Sequence, residues 1–131
     1  MNTFNKKIIN DGSKYIVLAV YIKSDGASGD FDGEVLIDPV DFGLKEGYRL
    51  RLQEVDYSFS GFDAVLEFET GESWTNLKWV LSESSNMAVD FQKWGNLIDD
   101  SPFTGSGKLL ISTTGLTSST DQGSLFLRVS K

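Results

Sequence analysis

The sequence lacks both histidine and cysteine in all of its 131 residues. Without histidine the chain has no imidazole base and no Ser-His-Asp arrangement, and without cysteine it has no thiolate nucleophile, zinc knuckle or disulfide. The absence of cysteine is compatible with reducing and with oxidising compartments. Only carboxylate, lysine and hydroxyl chemistry remains. We therefore expect no catalytic residues, no cofactor and no metal site, and a structural or binding role.

Positive charge is also scarce, because 19 acidic residues stand against 12 basic ones and the formal net charge is −7. This balance repels the phosphates of nucleic acids and anionic lipid surfaces. The longest apolar run, Tyr15 to Ile22, is far too short to span a bilayer. We expect no nucleic-acid partner, no membrane partner, and neither a signal peptide nor a membrane anchor.

Long apolar runs with helical periodicity are missing as well, and prolines number only two. Short apolar alternations are separated instead by Gly, Asn, Asp and Ser clusters, which is typical of strands joined by turns. The length suits one domain. The sequence predicts an all-β fold, a β-sandwich or jelly-roll-like single domain over residues 1–131 with about nine strands. These are Phe4 to Ile9, Lys14 to Lys23, Gly33 to Asp38, Tyr48 to Phe59, Phe62 to Thr70, Leu77 to Leu81, Asn86 to Phe91, Lys108 to Thr113 and Ser124 to Lys131.

Two turns and one change of phase organise the first half of the chain. The Asp11-Gly12 pair favours a tight hairpin turn, and Gly61 predicts a second hairpin over residues 48–70. Apolar residues change from even to odd positions near Gln53-Glu54, so a β-bulge is expected there.

Burial is predicted from the same alternation. After Gly61 the even positions are apolar, which places Leu66 and Phe68 in the core. The strand from Lys14 to Lys23 is apolar at both parities, so it should be a central strand, or one whose second face meets a partner.

Two loops contain residues typical of ligand-binding sites, one for phosphate and one for calcium, but neither matches the required pattern. The segment Gly105-Ser106-Gly107-Lys108 resembles the end of a phosphate-binding loop, yet Pro102 and Leu109 stand where Gly and Ser or Thr are required. The acidic stretch from Asp25 to Glu34 could offer oxygens to calcium, but its spacing differs from the calcium loop of helical proteins, so a solvated turn is the better interpretation. Paired carboxylates that hydrolyse sugars cannot be located by sequence.

Aromatic residues in loops are the candidate partner-binding residues. Trp79 shares its parity with the leucines around it and should be core. Trp74, Trp94 and Phe103 lie in polar or strand-end segments, so these three are the predicted contact residues.

Five segments of the chain form a recognisable series: Asn10 to Lys14, Tyr57 to Leu66, Asp90 to Gly95, Gly107 to Gly115 and Leu125 to Val129. Taken in order, they resemble a family of small virion structural proteins of tailed bacteriophages, many from marine and cyanobacterial phages. Where relatives usually carry a Trp-Asp pair after the central glycine, this chain has Glu67-Phe68, and Asn96 replaces a second glycine.

The resemblance implies a non-enzymatic component of the virion, a capsid decoration or cement protein. Its partner would be the major capsid protein or another virion subunit, and self-association into a homo-oligomer is also open. The alternative function is a lectin-like, carbohydrate-binding module of a tail fibre or secreted protein, in which exposed tryptophans stack on sugar rings.

Overall fold

The fold is all-β, with ten strands in the residues that the computed structural model describes, 1–69, 78–98 and 105–131. Two 3-10 turns, Pro39–Phe42 and Gln92–Trp94, interrupt them. Among these residues, no helix has the length and hydropathy needed to cross a membrane. The strands are β1 (Thr3–Asp11), β2 (Tyr15–Lys23), β3 (Glu34–Ile37), β4 (Arg51–Ser60), β5 (Asp63–Phe68), β6 (Lys78–Leu81), β7 (Ser84–Asp90), β8 (Leu97–Ile98), β9 (Leu109–Thr114) and β10 (Gln122–Ser130).

The strands form two antiparallel sheets in jelly-roll order. The larger sheet runs β1-β2-β10-β4-β7, with β8 pairing the start of β4, and the smaller sheet runs β3-β9-β5-β6. Leaving β1 and β8 aside, each sheet holds four strands, and most connections cross from one sheet to the other, as in double-sheet jelly rolls. The predicted fold class is confirmed, and β2 is a central strand between β1 and β10.

The core lies between the inner faces of the two sheets. Its side chains come from alternate positions of each strand, because successive residues of a strand point to opposite faces. Leu66 and Phe68 are fully buried there, as predicted. Trp79 is half-buried and packs edge-on against the ring of Phe91, with 4.9 Å between the ring centroids.

The predicted bulge in β4 is confirmed at Gln53. Arg128 of β10 pairs with Glu54, while the next residue of β10, Val129, pairs with Leu52. Gln53 is therefore the extra residue, and it shifts the phase of β4 so that residues on both sides of it can face the core.

The predicted hairpin over residues 48–70 is wrong, although the one at Asp11-Gly12 is confirmed. Strands β4 and β5 lie in different sheets. Phe59 and Phe62 both point into the core and stack with 4.7 Å between their ring centroids, so the chain between them crosses the core edge instead of folding back. Gly61, at φ 90°, allows this corner, because its conformation is costly for residues with a Cβ.

Candidate interaction face

The outward-facing side of the larger sheet is the candidate functional site, and we call it the outer face. Strand pairing places Phe126 of β10 at its centre, with Ala19 of β2 on one side and Asp56 of β4 on the other. Lys7 of β1 follows beyond Ala19, and Ala88 of β7 follows beyond Asp56. One row of side chains thus crosses all five strands.

Large aromatic side chains stand uncovered on this face. Phe126 is 51 % exposed, Tyr15 is 40 % exposed and Tyr21 is 38 % exposed. The hydroxyl group of Tyr21 donates a hydrogen bond of 3.1 Å to Oε1 of Gln122 on the neighbouring strand, which holds the ring across the sheet. Burial of such aromatic surface against a partner is energetically favourable.

Shallow depressions flank the ring of Phe126. Three of them, with volumes of about 320, 290 and 270 Å³, each include Phe126 in their walls. The depression toward β1 is also lined by Lys7, Ala19 and Tyr21, and its surface is largely apolar. The ring of Phe126 therefore forms a ridge between shallow depressions, and another protein surface of complementary shape can pack against it.

Charged groups on the outer face are divided by sign across β10. The outward-facing charged side chains of β1 and β2 are Lys7 and Lys23, whereas Glu54, Asp56 and Asp90 face outward from β4 and β7. Arg51 stands apart at the end of β4, beside β8.

An ion pair between β10 and β4 lies near the centre of the outer face. Nη2 of Arg128 donates to Oε1 of Glu54 at 2.8 Å, and both side chains are between one third and two fifths exposed. The guanidinium carbon of Arg128 lies 5.4 Å from the ring centroid of Tyr15. Arg128 is thus neutralised by its own chain and extends the flat aromatic surface.

Trp94 lies on the 3-10 turn between β7 and β8, beyond the end of β7. It is 71 % exposed, and Nζ of Lys93 lies 4.4 Å from its ring centroid. An exposed indole can contact a sugar ring or a protein. Trp74 and Phe103, the other two predicted contact residues, lie outside the described residues.

The acidic loop uses its carboxylates for internal hydrogen bonds. Asp25 accepts from the backbone N–H groups of Ala27 and Ser28, each at 2.8 Å, and forms an ion pair with the amino group of Met1. This amino group, the hydroxyl of Ser28 and the two N–H groups hold the pKa of Asp25 well below its usual range.

Asp30 of the same loop accepts from the hydroxyl group of Thr113 and from the backbone N–H groups of Gly115 and Leu116. It ties the loop to the end of β9. Within the described part of the chain, no three acidic residues converge as ligands for a metal ion.

The glycine-rich segment before β9 is packed against neighbouring loops. Gly47 donates its N–H to the carbonyl oxygen of Ser106 at 2.9 Å, and the hydroxyl of Ser106 donates to Glu69 at 2.6 Å. A Cβ on Gly107 would lie 2.5 Å from the carbonyl oxygen of Tyr48. The segment leads into a strand, as predicted, and is built to fit closely against the chain.

Comparison with protein-family models, with curated proteins and with solved structures gives no match to this chain. Its function is therefore interpreted from the outer face itself.

Sequence reasoning missed the centre of this face and pointed to loop aromatics instead. The signal was present in β10, where Leu125, Leu127 and Val129 alternate with outward positions that hold Ser124, Phe126 and Arg128. The phenylalanine at this otherwise polar parity is the sequence signal that could have pointed to the exposed apolar surface of the outer face.

Proposed function

We propose that the protein is a virion structural protein that decorates the capsid through protein–protein contacts, with the outer face packed against a neighbouring subunit of the decorated shell. The observation that carries this proposal is the exposed aromatic ridge formed by Phe126 between Tyr15 and Tyr21. The virion setting and the capsid partner are supported by the sequence resemblance to small phage virion proteins.

The energy available from the ridge suits a binding role. Three rings exposed to this extent present roughly 250 Å² of largely apolar surface, which corresponds to about 6 kcal/mol on burial, before the cost of association is subtracted. Stabilisation of a shell by such contacts needs no chemical step, because any partner that binds the assembled form favours it by mass action.

Fold-level analogy does not separate capsid decoration from carbohydrate binding. Double-sheet jelly rolls occur in viral capsid proteins and in lectins. The analogy supports both candidate functions, so the site and not the fold has to distinguish them.

The test uses shells that lack the protein. Purified protein is mixed with the shells, which are pelleted, and bound protein is quantified for the parent, for Phe126→Ser and for the matched control Val80→Ser. Val80 is 61 % exposed on the smaller sheet, so its loss removes apolar surface away from the outer face.

We expect the parent and Val80→Ser to bind alike and Phe126→Ser to bind at least tenfold more weakly, since a central aromatic contact is worth more than 1.4 kcal/mol. Failure of the parent to pellet with shells would contradict the virion assignment. Equal binding of all three proteins would contradict the assignment of the outer face.

A carbohydrate-binding function is the second candidate, and the exposure of Trp94 favours it. The test is binding of the purified protein to immobilised glycans, with Trp94→Ala alongside. Glycan binding that Trp94→Ala abolishes and Phe126→Ser preserves would replace decoration as the proposed function.

A further inference from the structure

The outer face is complementary to itself. Lys7 and Lys23 lie on the β1–β2 side of β10, and three acidic side chains lie on the β4–β7 side, where Arg51 is confined to the end of β4. Phe126 lies on the dividing strand. A surface divided in this way matches a second copy turned by a two-fold axis, because rotation exchanges its two halves.

We propose that the neighbouring subunit seated on the outer face is a second copy of this chain, related by a two-fold axis that runs along β10. This inference rests on the proposed function only in taking the outer face as a protein contact. Rotation about β10 lays β2 of one copy over β4 of the other and β1 over β7. The rotation leaves each residue at the same position along the strand direction. Each row of side chains that crosses the sheet therefore faces the same row of the second copy.

The row through Phe126 then makes the central contacts. The two Phe126 rings meet at the axis, and the small side chain of Ala19 faces Asp56 of the second copy. Lys7 comes over Ala88, one strand away from Asp56 of that copy, a spacing of about 5 Å that a lysine side chain can bridge. The symmetry generates this Lys7–Asp56 pair twice.

The one pair of like charges brought to the axis is already compensated. Arg128 would approach its own symmetry mate in the next row, but each guanidinium is held by Glu54 of its own copy and lies near Tyr15. Two neutralised, flat guanidinium groups can stack without an unpaired charge.

The size of the face suits a weak, reversible dimer. Five strands of 7 to 10 residues, spaced at about 4.8 Å, give a footprint of about 19 by 30 Å. This area of about 570 Å² lies just below the roughly 600 Å² that each partner buries at the lower end of specific interfaces. Face-to-face packing of twisted sheets, about 30° from parallel, accommodates it. We expect a dissociation constant in the micromolar range.

The test is analytical ultracentrifugation of the purified chain, without shells, from about 1 to 500 µM. Lys7→Glu and Asp56→Lys are measured separately and then mixed in equal amounts. Either variant alone places two pairs of like charges across the axis and should weaken dimerisation at least tenfold. In the mixture both cross-axis pairs become opposite in sign, so dimerisation should return to within about threefold of the parent.

Matched controls change the same charges elsewhere. Lys45→Glu and Asp32→Lys are exposed loop substitutions, and neither they nor their mixture should alter the dissociation constant. Circular dichroism of every variant checks that the fold is retained.

Three outcomes would overturn the inference. The parent could stay monomeric at 500 µM, the dissociation constant could be unchanged in both Lys7→Glu and Asp56→Lys, or the mixture of the two variants could dimerise as weakly as each variant alone. A monomeric parent that nevertheless loses shell binding on Phe126→Ser would show that the outer face contacts the shell directly, so the proposed function would stand while the dimer fell. A dimer that binds no shell would leave the second copy in place and remove the virion assignment.

Discussion

Replacement of Gly61 by alanine should strongly destabilise the corner where the chain passes from β4 to β5. A Cβ at this position would lie 1.9 Å from Oδ1 of Asp121 and 2.6 Å from its Cγ. The carboxylate cannot move aside freely, because Asp121 is buried and its Oδ2 accepts the backbone N–H groups of Thr117 and Ser118 at 3.1 and 2.9 Å.

Two costs add up in this variant. Alanine at the positive φ of Gly61 costs about 1 to 2 kcal/mol in any surroundings. Displacing the carboxylate of Asp121 weakens at least one hydrogen bond to a charged group, which costs about 1.5 to 3 kcal/mol more. The free energy of unfolding should therefore fall by about 2.5 to 5 kcal/mol, or roughly 10 to 18 °C in melting temperature for a domain of this size.

Urea unfolding separates the two costs. Gly95→Ala is the control, since Gly95 also has a positive φ, of 85°, but a Cβ there would meet nothing within 4 Å, so only the backbone cost of about 1 to 2 kcal/mol is expected. In an Asp121→Ala background, Gly61→Ala should likewise cost only about 1 to 2 kcal/mol. Equal losses for Gly61→Ala and Gly95→Ala in the parent, or no relief in the Asp121→Ala background, would refute the reasoning.

Three further variants test burial, ionisation and exposure. Phe68→Ala should cost about 3 to 5 kcal/mol in urea unfolding through lost burial and a cavity, whereas Val80→Ala on the exposed side should stay within about 0.5 kcal/mol of the parent, and similar losses would contradict the placement of the core. Burial, and then the negative charge of Asp63, raises the pKa of Tyr57, so its contribution to stability is complete below the pKa of about 10 of an unfolded tyrosine and is lost as pH rises through the higher folded value. Tyr57→Phe should accordingly shift the alkaline unfolding midpoint, followed by circular dichroism, to higher pH, and an unchanged midpoint would count against this linkage. Trp94→Ala should leave the melting temperature nearly unchanged while lowering the fraction of tryptophan fluorescence that acrylamide quenches, and a large loss of stability would show that the ring is part of the core.

Local patterns predicted the strands and one irregularity well. Alternation of apolar residues placed Leu66 and Phe68 in the core, and a change of phase located the bulge at Gln53, because the side-chain period of a strand is two and any extra residue must reverse it. The two-residue strand β8 was missed, since so short a segment carries no period.

The candidate site was predicted only in part. Apolar residues at both parities of β2 correctly predicted a central strand, whereas the predicted contact residues were loop aromatics. Of these, Trp94 is exposed, but the ridge around Phe126 is the larger uncovered surface.

The sequence by itself determined the all-β class, the strand periodicity and the buried side of most strands, because these depend on residues within a few positions of one another. It also showed that the chain turns at Gly61, but a glycine allows a turn without specifying whether the next strand pairs in the same sheet or crosses to the other. Tertiary structure decided that crossing, together with the pairing of β2 with β10, whose partners Ala19 and Phe126 are far apart in the chain. The outer face and its divided charges exist only through such pairings, since Lys7, Phe126 and Asp56 become neighbours across the sheet through packing of distant segments.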